Sequence, residues 1–291
     1  MPYIKKEFKS IKDLSIEEFL LHHTNLDESL VLNLLKKGKI LDENNKRFQQ
    51  NQLIKCEKVY VTIFEPQSKN LKPIFQNRYF AIFDKPSGVL VHPTSSNDFS
   101  YTLLDEIKFH LGNDASLIHR IDRETSGLVL VAIDKYSELI LKSLFEDKTL
   151  NNNSNIKKTY IALVKGHLKE KLTVNEPISN STGKIKIKMQ VSKEGKTSKT
   201  IINPIEYYKE KNQTLIQATP ITGRQHQIRV HCDYIGHNIV GDPIYGVEEK
   251  LANEYLNKTI KKDQRLMLQA NSLEFCFLGT TYKFKSLLKL S

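Results

Sequence analysis

The chain has 291 residues, enough for one large domain or for a small domain followed by a larger one. Hydrophobic residues at 39% and charged residues at 26% are typical of a folded globular protein and exclude wholesale disorder. The net charge of +11 favours a polyanionic partner, nucleic acid before an anionic membrane, although a generally lysine-rich composition would produce it as well.

The positions of the cysteines and the hydropathy of the chain restrict the class of protein further. Cys56, Cys232 and Cys276 stand alone without close histidine partners, which argues against a zinc site or a disulfide framework. The N-terminus lacks an apolar signal core, and no apolar run approaches the roughly 18 residues of a membrane span. These features predict a cytoplasmic protein without membrane association, and a monomer is the default expectation.

Residues 1–70 predict a small α/β module. Its expected elements are a helix through Ile16, Phe19 and Leu20 capped by Asp13 or Ser15, a helix over residues 28–37 that stops at Gly38, and short strands at 39–41 and 59–63. Basic side chains gather after the second helix, at Lys36, Lys37, Lys39, Lys46 and Arg47. The arrangement resembles the alpha-L RNA-binding motif, which implies that these side chains face phosphate. Because the module holds 12 Lys and Arg against 10 Asp and Glu, a net of only +2, a plain helical packing domain stays open.

A linker is expected from Glu65 to Pro73, before a larger domain over residues 71–291. The elements predicted there are a hairpin over 78–93, helices over 102–111 and 136–145, strands over 157–166, 184–188 and 215–218, a helix capped by Thr222, and closing strands at 266–270, 273–277 and 282–284. Many strands and few long helices predict an α+β fold, with helices packed on a mixed, largely antiparallel sheet.

A cluster of charged side chains precedes an apolar run at residues 119–132. Asp122 stands between Arg120 and Arg123, and the residues after Gly127 have the length and β-branched content of a buried strand. Gly127 is expected to need a positive φ or a close approach to another segment. A nearby arginine lowers the pKa of a carboxylate and keeps it ionised, which suits a reacting aspartate and a structural ion pair equally.

Four segments carry a resemblance to a known family. They are Asp84-Lys85-Pro86-Ser87-Gly88 with Val91-His92-Pro93, His119-Arg120-Ile121-Asp122 through Ala132, Lys158-Thr159-Tyr160-Ile161-Ala162, and Thr222-Gly223-Arg224-Gln225-His226-Gln227-Ile228-Arg229 with Gly241-Asp242. In this order, over about residues 75–285, the chain resembles the RluA-type pseudouridine synthases. The leading module is similar to the alpha-L domain of the large-subunit ribosomal RNA enzymes of that family.

The resemblance implies an isomerase that converts specific uridines of RNA to pseudouridine, with 23S ribosomal RNA as the expected substrate. Such an enzyme breaks the C1′–N1 bond, rotates the uracil and rejoins it through C5, so no metal or organic cofactor is implied. Asp122 would act on a flipped-out uridine as the nucleophile, or as a base that abstracts a ribose proton. Arg229 would pair with Asp122, and Tyr160 would stack on the uracil and serve as acid or base.

RNA contacts are implied as well. Arg120 would insert where the target base has left the RNA, Ile121 and Ile221 would line the pocket, and Lys36, Lys37, Lys39 and Arg47 would bind RNA. The resemblance implies supporting roles for His119, Thr125 and Ser126, and a structural role for Lys85.

Other interpretations stay open. Transfer RNA is the alternative substrate for the same chemistry. A non-catalytic RNA-binding or ribosome-assembly factor is a second alternative, against which the intact Asp122, Tyr160 and Arg229 argue. A hydrolase such as a phosphatase or glycosidase is a third; a glycosidase would need a second carboxylate, and Glu124 is the only near candidate in sequence.

Overall fold

The computed structural model describes residues 3–93, 100–146, 156–260 and 264–290. The chain forms two compact units, one of residues 1–69 with 92–109 and the other of residues 70–91 with 110–291. Residues 92–109 thus group with the N-terminal unit, although they follow the expected linker in sequence. Within the described ranges no helix has the length and apolar character needed to cross a membrane.

The N-terminal unit packs two helices with a three-stranded antiparallel sheet. Its elements are β1 (Tyr3–Lys9), α1 (Ile16–His23), α2 (Glu28–Lys36), β2 (Ile40–Asp42) and β3 (Lys58–Phe64), in the sheet order β1-β3-β2. Ser15 caps α1: its hydroxyl accepts a hydrogen bond from the Glu18 amide, and the Glu18 carboxylate accepts one from Ser15. The predicted helices and the two predicted strands are confirmed, whereas β1 was not predicted because lysines and a glutamate interrupt its apolar residues.

Buried Glu106 explains why part of the later chain belongs to this unit. Glu106 lies on α3 (Leu103–Leu111) and accepts hydrogen bonds from the Ser68 hydroxyl at 2.7 Å, the Lys69 amide at 2.5 Å and the Tyr101 hydroxyl at 2.5 Å. These bonds satisfy a carboxylate that would otherwise be costly to bury.

The larger unit is built on a sheet with ten strands in the described residues. They are β4 (Phe75–Gln76), β5 (Phe80–Lys85), β6 (Ser116–Leu117), β7 (Ser126–Ala132), β8 (Ile156–Lys165), β9 (Leu172–Val174), β12 (Thr200–Tyr208), β13 (Gln213–Pro220), β14 (Leu268–Phe277) and β15 (Thr280–Lys285). The order is β4-β5-β7-β14-β8-β13-β12-β9, with β6 on β7 and β15 on β14. Two further strands, β10 (Ile178–Asn180) and β11 (Met189–Val191), form a separate antiparallel pair.

Strand direction confirms the predicted mixed, largely antiparallel α+β sheet. The pair β7–β14 is parallel, and the other strand pairs among the described residues are antiparallel. Three helices accompany the sheet, α4 (Lys135–Glu146), α5 (Gln227–Tyr234) and α6 (Glu249–Leu256). α4 packs against β7, and α5 packs against β11, β12 and β13, so that two apolar clusters form on neighbouring parts of the sheet.

The expected strand at residues 184–188 is wrong. A strand would place Ile185 and Ile187 on one face, but Ile185 is buried whereas Ile187 is 45% exposed. The Lys188 amide donates to the Ile185 carbonyl, so this segment is a turn.

Two other local predictions fail. Thr222 does not cap a helix: α5 begins five residues later, at Gln227, and the Thr222 hydroxyl instead donates to Gln227 Oε1 at 2.7 Å. The hairpin expected over residues 78–93 lacks its second strand, because the Pro86 and Val89 carbonyls bind the Lys85 ammonium rather than a neighbouring strand.

Candidate active site

Asp122 lies in the loop that runs from β6 into β7. Its carbonyl oxygen accepts a hydrogen bond from the Thr125 amide at 3.2 Å, which closes a turn directly before the buried strand. The Asp122 side chain is 25% exposed. The carboxylate therefore lies in a turn just before a buried strand and stays accessible to solvent.

Lys85, the last residue of β5, contacts this loop. Lys85 is fully buried, and its Nζ donates to the carbonyl oxygens of Pro86 at 2.9 Å, Val89 at 2.7 Å and Arg123 at 3.0 Å. Burial lowers the pKa of Lys85 to about 7, while the charges of Glu124 and Asp122 oppose that shift. The three acceptors match the three N–H groups of an ammonium. These contacts agree with the structural role expected for Lys85.

Gly127 joins the Asp122 loop to the sheet in a way that a larger residue could not. Its φ is +111°, and a Cβ at this position would lie 2.3 Å from the Ala270 carbonyl oxygen of β14. The glycine thus meets both expectations, the positive φ and the close approach. It allows β7 and β14 to pair in parallel where the Asp122 loop ends.

Arg229, on α5, pairs with two carboxylates at once. Its Nε and Nη2 donate to the two oxygens of Asp242 at 2.7 and 2.8 Å, and its Nη1 donates to Asp122 Oδ2 at 3.1 Å. The Arg229 side chain is only 2% exposed. Burial alone would lower the pKa of Arg229, but the hydrogen bonds and charge of Asp242 outweigh it and raise the pKa above its ordinary value. The guanidinium is thus a fixed cation beside Asp122.

Asp242 lies in a segment that carries the family resemblance, but the sequence assigned it no role; the structure shows that it holds Arg229 in place. Besides the two bonds from Arg229, its Oδ1 accepts the amides of Ile244 at 2.9 Å and Tyr245 at 3.0 Å. Burial raises the pKa of Asp242, but the hydrogen bonds and charge of Arg229 outweigh it and the pKa is lowered overall. The tight loop containing Gly241 and Asp242 was visible in the sequence, but its pairing with a helix 13 residues earlier was not.

Tyr160, on β8, faces the same region. It packs with the apolar cluster that contains Ala162 and Val164, as the period-two pattern predicted. Burial, with a smaller contribution from the Asp122 charge, raises the pKa of Tyr160 above its ordinary value. Its phenol therefore keeps its proton at neutral pH.

His226 also lies in a segment that carries the family resemblance, and the sequence assigned it no role either. It precedes α5 in the left-handed region, at φ 55°, and its Nε2 lies 3.8 Å from Asp122 Oδ2. Its Nδ1 lies 2.9 Å from the Tyr245 hydroxyl. Burial lowers the pKa of His226 to about 4, with the Asp122 charge opposing, so the ring is neutral at neutral pH.

Asp122, Tyr160, His226 and Arg229 share a pocket of about 350 Å³, a size typical of small-ligand sites. The lining includes His119, Arg120, Ile121, Asp122, Phe145, Tyr160, His226, Arg229 and Leu268. Ile221, which was expected to line the pocket, is not among the described lining residues, whereas its neighbours Pro220 and Thr222 are. Side chains alternate along an extended chain, so Pro220 points towards the pocket and Ile221 points away from it. Arg120 is exposed at the rim, and the His119 ring stacks on Phe145 at 5.1 Å.

The basic residues proposed for RNA lie in the N-terminal unit. Lys36, Lys37 and Arg47 are exposed and Lys39 is partly exposed. The Arg47 side chain lies over Gly38, at the end of α2, where an added Cβ would come within 2.8 Å of it. The described residues contain no group of three or more His, Cys, Asp or Glu side chains arranged to hold a metal ion.

Comparisons with known proteins agree on one family. Residues 79–234, more than half of the chain, match the family model described as RNA pseudouridylate synthase. The chain is 36% identical to the "Uncharacterized RNA pseudouridine synthase" of Helicobacter pylori strain J99, covering 98% of this chain and 96% of that protein. It is 34% identical to the ribosomal large subunit pseudouridine synthase C of Buchnera aphidicola subsp. Schizaphis graminum, covering 86% of this chain and 82% of that protein.

A solved structure gives the same answer. Human RNA pseudouridylate synthase domain containing 1 has a TM-score of 0.59 and 25% identity, over 76% of this chain and 85% of that chain. The protein therefore belongs to the RluA-type RNA pseudouridine synthases, which are isomerases.

Proposed function

We propose that Asp122 is the reacting carboxylate of an enzyme that isomerises specific uridines of 23S ribosomal RNA. The observation that carries the proposal is the Asp122–Arg229 ion pair at 3.1 Å, in the wall of a pocket that also contains Tyr160. A carboxylate is a usable nucleophile when it is held in near-attack geometry. The buried pair of Arg229 with Asp242 restrains the guanidinium and, through it, Asp122.

The proposed reaction balances without an added reagent. When the C1′–N1 bond breaks, its electron pair stays on the uracil, and Asp122 either bonds to C1′ or removes a ribose proton. After the uracil rotates, C5 bonds to C1′, and Asp122 either leaves C1′ or returns the abstracted proton to the ribose. The proton on C5 passes to solvent and N1 takes up a proton, so substrate and product are isomers.

Tyr160 is proposed to stack on the uracil. Because its pKa is raised by burial, the hydroxyl remains a proton donor at neutral pH, which favours the role of acid or hydrogen-bond donor over that of base. Arg229 keeps the negative charge of Asp122 paired until it reacts.

A uridine inside an RNA helix cannot reach a recessed carboxylate, so the proposal requires base flipping. Arg120 is exposed at the rim of the pocket, two residues before Asp122, and is proposed to occupy the space that the flipped base leaves. Ile121 lines the pocket and is proposed to pack against the base.

Two observations support ribosomal RNA as the proposed substrate. Relatives such as the Buchnera protein are named ribosomal large subunit pseudouridine synthases. The N-terminal unit carries exposed Lys36, Lys37 and Arg47 around the end of α2, and we propose that it is an alpha-L module that binds RNA phosphates through these residues and Lys39.

The test is to map pseudouridine in ribosomal and transfer RNA from cells that lack this protein. Rescue would use the wild type, Asp122→Asn, and Asp114→Asn as a matched control, since Asp114 is exposed and lies outside the pocket. The proposal expects specific 23S positions to lose pseudouridine and to regain it with the wild type and the control but not with Asp122→Asn. Loss confined to transfer RNA would overturn the substrate and keep the chemistry.

A further inference from the structure

We propose that His226 is a positioning residue for Asp122: its Nε2–H and Arg229 Nη1 hold Oδ2 of the carboxylate from two sides and leave Oδ1 to meet the ribose. This inference rests on the proposed role of Asp122. His226 Nε2 lies 3.8 Å and Arg229 Nη1 lies 3.1 Å from the same Asp122 oxygen. The histidine distance exceeds an ordinary hydrogen bond, but catalytic hydrogen bonds often tighten when substrate binds.

A chain of hydrogen bonds selects the tautomer that this role needs. The Met189 amide donates to the Tyr245 hydroxyl oxygen at 2.9 Å, and the same hydroxyl lies 2.9 Å from His226 Nδ1. Burial raises the pKa of Tyr245, so the phenol keeps its one hydrogen. Because the Met189 amide already donates to the phenol oxygen, the phenol hydrogen points to His226 Nδ1, the other group in contact with the hydroxyl. A neutral imidazole with Nδ1 as acceptor carries its hydrogen on Nε2, the nitrogen that faces Asp122.

The surroundings keep the ring fixed and neutral. His226 adopts φ 55°, a conformation uncommon outside glycine, and its side chain is 8% exposed. Its ring meets the Tyr245 ring edge-on, with centroids 5.7 Å apart. The charged groups that face it are Asp122 and Asp242, which favour a protonated ring, and Arg229 and Arg120, which oppose it. Burial exceeds their combined effect, so His226 is a hydrogen-bond donor that does not change charge at neutral pH.

Two substitutions at His226 distinguish the effect of losing the Nε2–H hydrogen-bond donor from the effect of losing the rest of the side chain. His226→Asn suits the left-handed backbone and keeps an acceptor near Tyr245, but it lacks a donor at the Nε2 position. His226→Gln places an amide N–H near that position. We expect kcat for pseudouridine formation to fall roughly 10- to 100-fold in the Asn variant with KM nearly unchanged, since misplacing a catalytic group by 1 Å can cost about 100-fold. Gln should recover most of the loss.

Full activity in His226→Asn, or equal losses in the Asn and Gln variants, would overturn the proposal. A second measurement does not depend on activity. Nitrogen-15 NMR of the histidine ring at neutral pH should show the neutral Nε2–H tautomer, and Asp122→Asn should shift that resonance while Asp114→Asn should not. An Nδ1–H tautomer, or no response to Asp122→Asn, would contradict the inference. A wild type that shows this tautomer and coupling but makes no pseudouridine would instead count against the proposed function.

Discussion

Arg229 divides its guanidinium between two carboxylates, Asp242 through Nε and Nη2 and Asp122 through Nη1. The planar fork of arginine suits this geometry, whereas a lysine ammonium is a single point charge. The Arg229 and Asp242 side chains are only 2% and 1% exposed, so they form a buried ion pair. Burying the charge of either residue without the other would cost free energy of folding.

Arg229→Ala should therefore destabilise the fold as well as the site. It leaves Asp242 buried without its counter-charge, for which the expected loss in the free energy of unfolding is about 3–5 kcal/mol. Urea denaturation followed by circular dichroism measures this. The double variant Arg229→Ala/Asp242→Ala is the control and should recover part of the loss; a single variant as stable as the wild type would refute the interpretation.

His226 gives the protein a defined pH dependence of stability. Burial lowers its pKa from 6.5 to about 4 in the folded state, so between these pH values the unfolded chain binds a proton that the folded chain does not. Stability should be fully retained above 6.5 and should fall as the pH drops towards 4, by about 3 kcal/mol in total. The difference between wild type and His226→Asn in urea denaturation across this range isolates the effect. Parallel pH profiles would show that His226 does not cause it.

The sequence predicted individual site residues better than their partners. Asp122, Tyr160 and Arg229 belong to recognisable segments, and the structure brings all three to one pocket. Asp242 and His226 were not assigned roles. The bond from Arg229 to Asp242 depends on how a loop folds back onto α5, and the orientation of His226 depends on Tyr245, so local patterns carry no signal for either.

At the scale of elements, the parallel pairing of β7 with β14 fixes where the Asp122 loop ends. At the Gly127–Ala270 pair the two strands leave no room for a side chain, because an added Cβ on Gly127 would lie 2.3 Å from a backbone oxygen that cannot move independently. The orientation of Asp122 therefore depends on a glycine five residues away.

Gly127→Ala should lower the free energy of unfolding by more than about 2 kcal/mol, from backbone strain and the clash together. Gly112→Ala is a matched control, because Gly112 also has a positive φ, +87°, but nothing lies within 4 Å of an added Cβ. It should cost about 1–2 kcal/mol from the backbone alone. Thermal or urea unfolding of both variants checks this, and equal losses would mean that the contact with Ala270 is unimportant.

Alternation predicted most strands correctly, and its failures have a common cause. At residues 184–188 the lysines and isoleucines alternate, but the chain turns and buries only Ile185. The segment after Lys85 also looked like a strand, yet its carbonyls bind a buried ammonium. In both places hydrogen bonds between residues one to four positions apart replace the strand pairing that alternation predicts.

For the whole molecule, the distribution of charge matters more than its total of +11. The first 70 residues carry a net charge of only +2, so any RNA binding by the N-terminal unit must come from a local cluster. The exposed residues of that cluster are Lys36, Lys37, Lys46 and Arg47, and the first two and the last are the ones proposed to bind RNA.

The triple variant Lys36→Ala/Lys37→Ala/Arg47→Ala should raise KM for ribosomal RNA and leave kcat largely intact. If each residue neutralises a phosphate, the slope of log affinity against log salt should decrease by roughly 2. Lys9→Ala/Lys12→Ala/Lys55→Ala removes the same charge from exposed positions outside the cluster and is the control. Equal effects in the two variants would mean that the protein's overall charge, and not this cluster, accounts for RNA binding.

Asp122 is proposed to be the carboxylate that reacts, and the release of hydrogen from uracil C5 tests this directly. Purified wild type, Asp122→Asn and the control Asp114→Asn would be given RNA labelled with tritium at uracil C5, because that hydrogen must leave when C5 bonds to C1′. In single-turnover reactions the account predicts that Asp122→Asn releases tritium at least about 1,000-fold more slowly, while Asp114→Asn matches the wild type. Release by Asp122→Asn within a few-fold of the wild-type rate would contradict the account.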